Sequence, residues 1–262
     1  MAELATISGP RTLAVDIGGT NIKVLVLDDD GNAISERVKL PTPKPAVPAR
    51  VIDLIAQLAD GQPEFQRISV GFPGVVHHGI TATAPNLHPD WHGFPCQQVL
   101  EDRLGCPVRV CNDADVQGFG AIQGEGLEMV ITLGTGMGSA LFVDGILVPN
   151  LELAHHPFGD GKTYEQWLGN ASLAAIGEAA WEAKLREAIE LMRRIFNYDR
   201  LYIGGGNVRL LERGDIPDDV ILIDNIAGLL GGIALWTGVH GTRLVRAPHS
   251  IGAYCVVPPP AR

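Results

Sequence analysis

An apolar run, Leu13-Ala14-Val15, meets a carboxylate at Asp16, turns through Gly18-Gly19-Thr20 and leaves in period-2 alternation. Ile22, Val24 and Val26 face one way and Lys23, Leu25 and Leu27 the other, which is the pattern of a strand. Residues 12–28 therefore predict a hairpin closed by a glycine turn, with a third strand near 33–38 and a loose leader before residue 12. Four prolines in Leu40–Pro48 enforce an extended connection. Val51, Leu54, Ile55 and Leu58 then recur at helical spacing, predicting a helix over 47–59 that Asp60-Gly61 ends. Ile68-Ser69-Val70 reads as a short strand entering Gly71-Phe72-Pro73-Gly74, and 81–93 as a polar loop with one aromatic. A helix over 94–104 and a strand over 107–111 follow. That strand delivers Asn112-Asp113-Ala114-Asp115 into a helix over 114–124.

The pattern then repeats. Met129–Gly145 is an apolar strand, Gly134-Thr135-Gly136 with a further Gly138, another apolar strand, and an Asp-Gly turn; the first copy closes likewise over Asp28–Gly31. Helical material fills 163–175 and 173–197, a strand at 201–203 enters Gly204-Gly205-Gly206, and a last strand covers 220–223. The apolar, glycine-rich run 226–239 is too short to span a bilayer and reads as a buried helix. Two similar halves predict a duplicated α/β protein, divided as 1–113 and 114–224.

Glycine turns between strands let backbone N–H groups approach an anion closely, and a threonine hydroxyl adds a donor. A dinucleotide fingerprint is excluded because a strand, not a helix, follows the first glycines. Gly161-Lys162-Thr163 ends like a P-loop, but His156 occupies the first glycine position and no strand leads in. One such hairpin is equally a turn with no ligand. Two, each opening a similar half, point to a cleft closing on one phosphate chain.

Composition narrows the class. With 46% apolar and 19% charged residues the chain is of ordinary globular type, and its formal net charge of −10 argues against broad nucleic-acid binding. A local polyanion groove remains open, since Arg37, Lys39, Lys44 and Arg50 have no acidic residue among them; the alternative is a solvated loop. Cys96, Cys106, Cys111 and Cys255 form no C-x-x-C pair, which fits reduced thiols in a cytoplasmic protein better than disulfides or zinc. No signal-peptide pattern opens the chain, and no membrane association is expected.

Asp113 is the sharpest chemical candidate. It follows an apolar strand directly, so its carboxylate stands at the sheet's carboxyl edge, where it is placed to take a proton from an attacking hydroxyl. The competing reading is an Asn-Asp helix cap, with Asp115 a cap-region or solvent partner. Asp16 is placed to hold a phosphate-bound Mg²⁺ through water, or simply to stabilise its turn. Glu152 and His155, with Glu165 beyond, offer the acceptors and donors that a small polyol needs.

Together, DIGGTNIK, NDAD, LGTGMGSALF, LVPNLELAH and IGGGN resemble the ROK sugar-kinase family of the actin/hexokinase superfamily, over about residues 12–236. TPKP, PNLHPDWHG and LVPNLEL look most like its polyphosphate glucokinase branch. The resemblance implies a two-lobed, ribonuclease-H-like duplicated fold with the site in the interlobe cleft, and a terminal helix over about 225–262 packed back on the first lobe. It implies Asp113 as catalytic base for the sugar 6-hydroxyl, with Asn86, Asn112, Glu152, His155 and Glu165 as sugar ligands. For the donor and its phosphates it implies Asp16, Gly18, Gly19, Thr20, Asn21, Lys23, Gly134, Thr135 and Gly136, with Gly204, Gly205 and Gly206 against adenosine where the donor is ATP. Mg²⁺ is the expected cofactor, polyphosphate or ATP the donor, glucose or a related hexose the acceptor, and a homodimer the family's habit. The cysteine-rich zinc loop of many members is missing, so no zinc site is expected. Ala154 replaces a usual glycine, and Asn207-Val208-Arg209 stands where the branch shows Ser-Lys. Eleven residues before the first strand leave no room for a repressor's winged helix. The alternatives are an ATP-only kinase for another hexose, a sugar sensor without catalysis, and an acetate-type kinase or ATPase of the same superfamily.

Overall fold

The computed structural model describes residues 9–211, 217–223, 227–237, 243–246 and 254–257. Strands β1 (Thr12–Ile17) and β2 (Asn21–Leu27) form the first hairpin, with β3 (Val38–Pro41) antiparallel to β2. The third strand thus begins later than 33: the Asp28 carboxylate accepts the Asp30 and Asn32 N–H groups, and Ala33 makes only an isolated bridge to Leu27. Helix α1 (Pro48–Asp60) starts on a proline, whose missing N–H costs nothing in a first turn. Then come β4 (Arg67–Phe72), the two-residue pair β5 (Val76–His77) and β6 (Ile80–Thr81), α2 (Cys96–Leu104) and β7 (Val108–Asn112).

The segment 81–93 is not simply a polar loop. Pro89–Trp91 form a 3-10 turn that buries Trp91 completely between Phe72 and Phe94, ring centroids 5.0 and 5.1 Å away. The indole N–H is satisfied by the Ala46 carbonyl at 2.9 Å, so a residue in a polar stretch becomes a core anchor.

Helix α3 (Asp113–Phe119) is shorter than expected and ends at Gly120. Next are β8 (Leu127–Leu133), β9 (Met137–Val143), β10 (Ile146–Val148), α4 (Tyr164–Leu168), α5 (Asn170–Ile176) and α6 (Glu178–Phe196), the three helices being parted at Gly169 and Gly177. Strands β11 (Arg200–Gly204) and β12 (Val220–Leu222) complete a second sheet. The orders β3-β2-β1-β4-β7 and β10-β9-β8-β11-β12 are one topology twice: an antiparallel three-strand meander followed by two parallel strands. Each sheet carries its own apolar core, one under α1 and α2, the other under α4 and α6.

The long terminal helix is corrected. Residues 227–237 are α7 (Ala227–Leu230), a 3-10 turn at Gly231–Ile233 and α8 (Ala234–Thr237), while β13 (Arg243–Arg246) and β14 (Tyr254–Val257) pair as an antiparallel hairpin. Paired glycines favour the tightened turn, and the remainder of 225–262 lies outside the described residues. Leu229 packs on Ala14, Leu25 and Leu27 of the first sheet, and Ser69 Oγ donates to the Gly232 carbonyl at 2.6 Å. Trp236 donates its indole N–H to Ser69 Oγ at 2.8 Å, with the Arg67 and Arg109 guanidinium groups 5.3 and 4.6 Å from its ring. Helix α3 sits where the parts meet, packed on α7, β4, β8 and β9.

Candidate active site

A cavity of about 570 Å³ opens between the carboxyl ends of the two sheets. The two glycine turns face each other across it. In the first, the Gly18 N–H donates to the Asn21 carbonyl at 3.0 Å, and Thr42 Oγ1 donates to the Gly18 carbonyl at 2.6 Å. In the second, Gly134 N–H donates to Gly136 O at 3.0 Å, and the start of α5 braces the turn through Asn170 N–H to Gly134 O at 2.9 Å. These bonds close the turns and leave the N–H groups of Gly19, Thr20, Thr135 and Gly136 without a protein partner among the described residues. That is a pair of donor sets suited to anionic oxygen.

Asp16, at the end of β1, lines the cavity and is paired with Lys23 across the hairpin at 2.7 Å. The register that sets Asp16 opposite Lys23 fixes this pair. Asn86 and Pro85 line the space between the turns, with the Asn86 backbone in contact range of Gly19.

Asp113 begins α3 at the carboxyl end of β7. The helix cap is Asn112, whose Oδ1 accepts the Ala114 and Asp115 N–H groups at 2.8 and 3.2 Å while its Nδ2 donates to the Gly74 carbonyl at 3.2 Å. Asn112 therefore lines the cavity with both polar ends already engaged. Asp113 is left to the cavity; among the described residues its Oδ1 accepts only the Ala114 N–H, at 2.8 Å. Burial pushes its carboxyl up to about 7, helped by the Asp16 charge and, less, by Asp115 and Glu152, against the Ala114 N–H. Asp115 stands in the cap region, its N–H on Asn112, but is no solvent partner: it is 1% exposed, and burial raises its pKa as well.

Glu152, His155 and Glu165 converge on the cavity from the other sheet's side. His155 Nε2 stands 3.4 Å from Glu152 Oε2, and Glu165 Oε2 accepts the Met137 N–H at 3.3 Å. Burial raises the Glu152 pKa, His155 opposes this, and Glu165 adds to it. A Cβ on Gly136 would fall 2.2 Å from Glu165 Oε2, so a side chain there would push this carboxylate aside.

The predicted residues all line the cavity except Gly204. Gly204 lies behind Gly205, and a Cβ there would meet Gln117 Nε2 at 2.4 Å, so its smallness serves the packing of α3. The loop Gly71–Gly74, which the sequence sets at a strand's carboxyl end where ligands bind, brings Pro73 and Gly74 to the lining, while Gln117 and Asn170 carried no such signal. Sequence reasoning noted Asn207 and Arg209 only as departures, yet both line the cavity, and Asn207 Nδ2 donates to Asn170 Oδ1 at 2.8 Å. The basic residues of 37–50 lie outside the lining, but Lys44 Nζ donates to the Gly19 carbonyl at 3.1 Å and Lys39 pairs with Lys23 across β2 and β3.

The model of the ROK family matches residues 12–150. A polyphosphate glucokinase of Mycobacterium tuberculosis is 33% identical over 235 residues, which are 83% of this chain and 88% of that protein. The chain belongs to the ROK family. Among solved structures, the inorganic polyphosphate/ATP-glucomannokinase of Arthrobacter sp. strain KM superposes with a TM-score of 0.79 at 32% identity, covering 87% of this chain and all of that one. A ROK family glucokinase from Streptomyces griseus, solved with glucose and AMPPNP, shares the fold at TM-score 0.68 and 22% identity, covering 86% of this chain and 98% of that one. The repeated sheet topology is accordingly the actin/hexokinase arrangement of ROK sugar kinases.

Among the described residues no group of three or more His, Cys, Asp and Glu side chains is arranged to hold a metal, and no helix is long and apolar enough to cross a membrane. Mg²⁺ does not need such a group, since one carboxylate with substrate phosphates and water suffices. Asp16, beside the first turn, is a donor of that kind.

Proposed function

We propose that this ROK protein is a sugar kinase transferring a phosphoryl group from polyphosphate, ATP or both to the 6-hydroxyl of glucose. The observation that carries the reading is Asp113: a carboxylate open to the cavity, between two turns of unpartnered N–H groups, beside the Glu152, His155 and Glu165 set. Glucose sits against that set and Asn86. Asp113 takes the 6-hydroxyl proton as the oxygen attacks the terminal phosphorus in line; the new P–O bond forms as the bond to the donor chain breaks, and the shortened donor leaves with the electron pair. The free N–H groups of Gly19, Thr20, Thr135 and Gly136 offset charge on the phosphoryl oxygens. Asp16 would hold a Mg²⁺ ion beside the first turn, where the ion would supply further charge neutralisation on the donor phosphates. A carboxyl poised near neutrality suits a base that must both accept and release the proton.

Two lobes dividing near residue 113, with 227–237 seated on the first, enclose the acceptor and keep water from the phosphoryl group. For a long donor, Lys44 and Lys39 lie beside the first turn on the way out of the cavity, and Arg209 lines its far side. We place the enzyme in the cytoplasm, where ATP and hexoses meet. The test is a glucose-6-phosphate-coupled assay with Mg²⁺, run in parallel with ATP and long-chain polyphosphate. Turnover with either supports sugar phosphorylation, and turnover with polyphosphate supports the branch. Glucose binding without turnover on any hexose would replace the reading with a sensor.

A further inference from the structure

One residue outside the cavity lining ties the end of β10 to the small β5–β6 pair and to α3. Asn150 follows β10, two residues before Glu152, with φ of +58°, the left-handed region that asparagine tolerates better than most residues. Its side-chain amide pairs with one backbone unit in both directions: the Val76 N–H donates to Oδ1 at 3.3 Å, and Nδ2 donates to the Val76 carbonyl at 3.3 Å. Val76 opens β5, just after Gly74, whose carbonyl holds Asn112. The Asn150 backbone N–H faces the buried Asp115 carboxylate in the first turn of α3. Beyond it the chain is pinned to β9, because Ser139 Oγ donates to the Leu151 carbonyl at 2.6 Å and accepts the Leu153 N–H at 3.2 Å.

Glu152 is thus held on one side by its own sheet and on the other by the β5–β6 pair and the helix that carries Asp113. We propose that Asn150 is a positioning residue for the transfer reaction, fixing the Glu152 segment to the Val76 backbone and to α3 so that sugar ligand and base keep their separation. The proposal rests on the sugar-kinase reading above. Two neutral hydrogen bonds are modest in energy, but misplacing a reacting group by about 1 Å costs on the order of a hundredfold in rate.

The test uses Asn150→Gly, which deletes the amide without straining the backbone. Asn150→Gly is expected to raise KM for glucose and lower kcat, each roughly tenfold, with KM for the donor within about twofold. Calorimetric glucose affinity should fall in parallel without donor present. Asn150→Asp, which keeps the acceptor for the Val76 N–H, should recover part of the loss. A lowered Tm for Asn150→Gly with unchanged KM and kcat would overturn the proposal and leave the sugar-kinase reading intact. Wild-type protein inactive on every hexose would remove both.

Discussion

Asp113 answers to two opposing demands, exposure to the cavity for proton transfer and burial that resists its charge. With its carboxyl pushed up to about 7, the base is half protonated near neutrality. The acid limb of kcat/KM for glucose should therefore fall below about pH 7, a decade per pH unit, in a pH profile of the coupled assay. The same shift bears on stability with a definite sign. Between the ordinary aspartate range and pH 7 the folded state holds a proton that the unfolded state has lost, so this group's contribution falls as pH rises through that window. Asp113→Asn removes the penalty, and at pH 8 it should raise stability by on the order of 1 kcal/mol, read as a higher denaturant midpoint. At this scale the sequence was legible where chemistry follows chain direction: an apolar strand ending in a carboxylate put Asp113 at the sheet edge. It was not legible where contacts come from elsewhere. Asp115 looks like a helix-start acid and is buried against the Asn150 segment; Glu128 looks like a solvated strand position and is buried under the N–H groups of Gln123, Gly124 and Glu125 and the Tyr202 hydroxyl.

Helix α3 is the element through which the site and the fold depend on each other. Its N-terminus presents Asp113, its sides meet both sheets, and its back carries the 227–237 segment. The closest approach is at Gly231, where a Cβ would lie 1.9 Å from the Val116 carbonyl and 2.7 Å from the Gly120 N–H. Backbone cannot yield there cheaply, so Gly231→Ala should cost roughly 1–3 kcal/mol in denaturant unfolding. It should also lower kcat by shifting the base, with Leu229→Ala as a control that loosens the segment without pushing on α3. Helix α1 could be read from periodicity because it buries one face, and the hairpins from apolar runs broken by glycine turns, their strands being buried on both faces. The terminal segment could not: its glycines serve contacts with Ser69 and Val116, far away in the chain, and its apolar run looks the same for a helix or for a broken turn.

At the scale of the molecule, duplication is what makes the cleft. One topology used twice sets two glycine turns face to face, each with donors that its own turn does not consume. The repeat was visible in the sequence as two apolar–glycine–apolar stretches, and that was enough to infer a phosphate between them. The cavity's far wall, with Asn170, Asn207 and Arg209, depends on how α5 and the loop after β11 meet, which no local pattern records. If long donors leave past Lys44, Lys44→Ala should raise KM for long-chain polyphosphate several-fold more than KM for ATP, a comparison that one set of initial-rate curves supplies. The central claim is that Asp113 is the base of sugar phosphorylation, and it is tested most directly by Asp113→Ala assayed for glucose 6-phosphate formation alongside calorimetric glucose binding. The account predicts a kcat lower by roughly 10²–10⁴-fold with glucose affinity within a few-fold of wild type. Turnover within tenfold of wild type would contradict it.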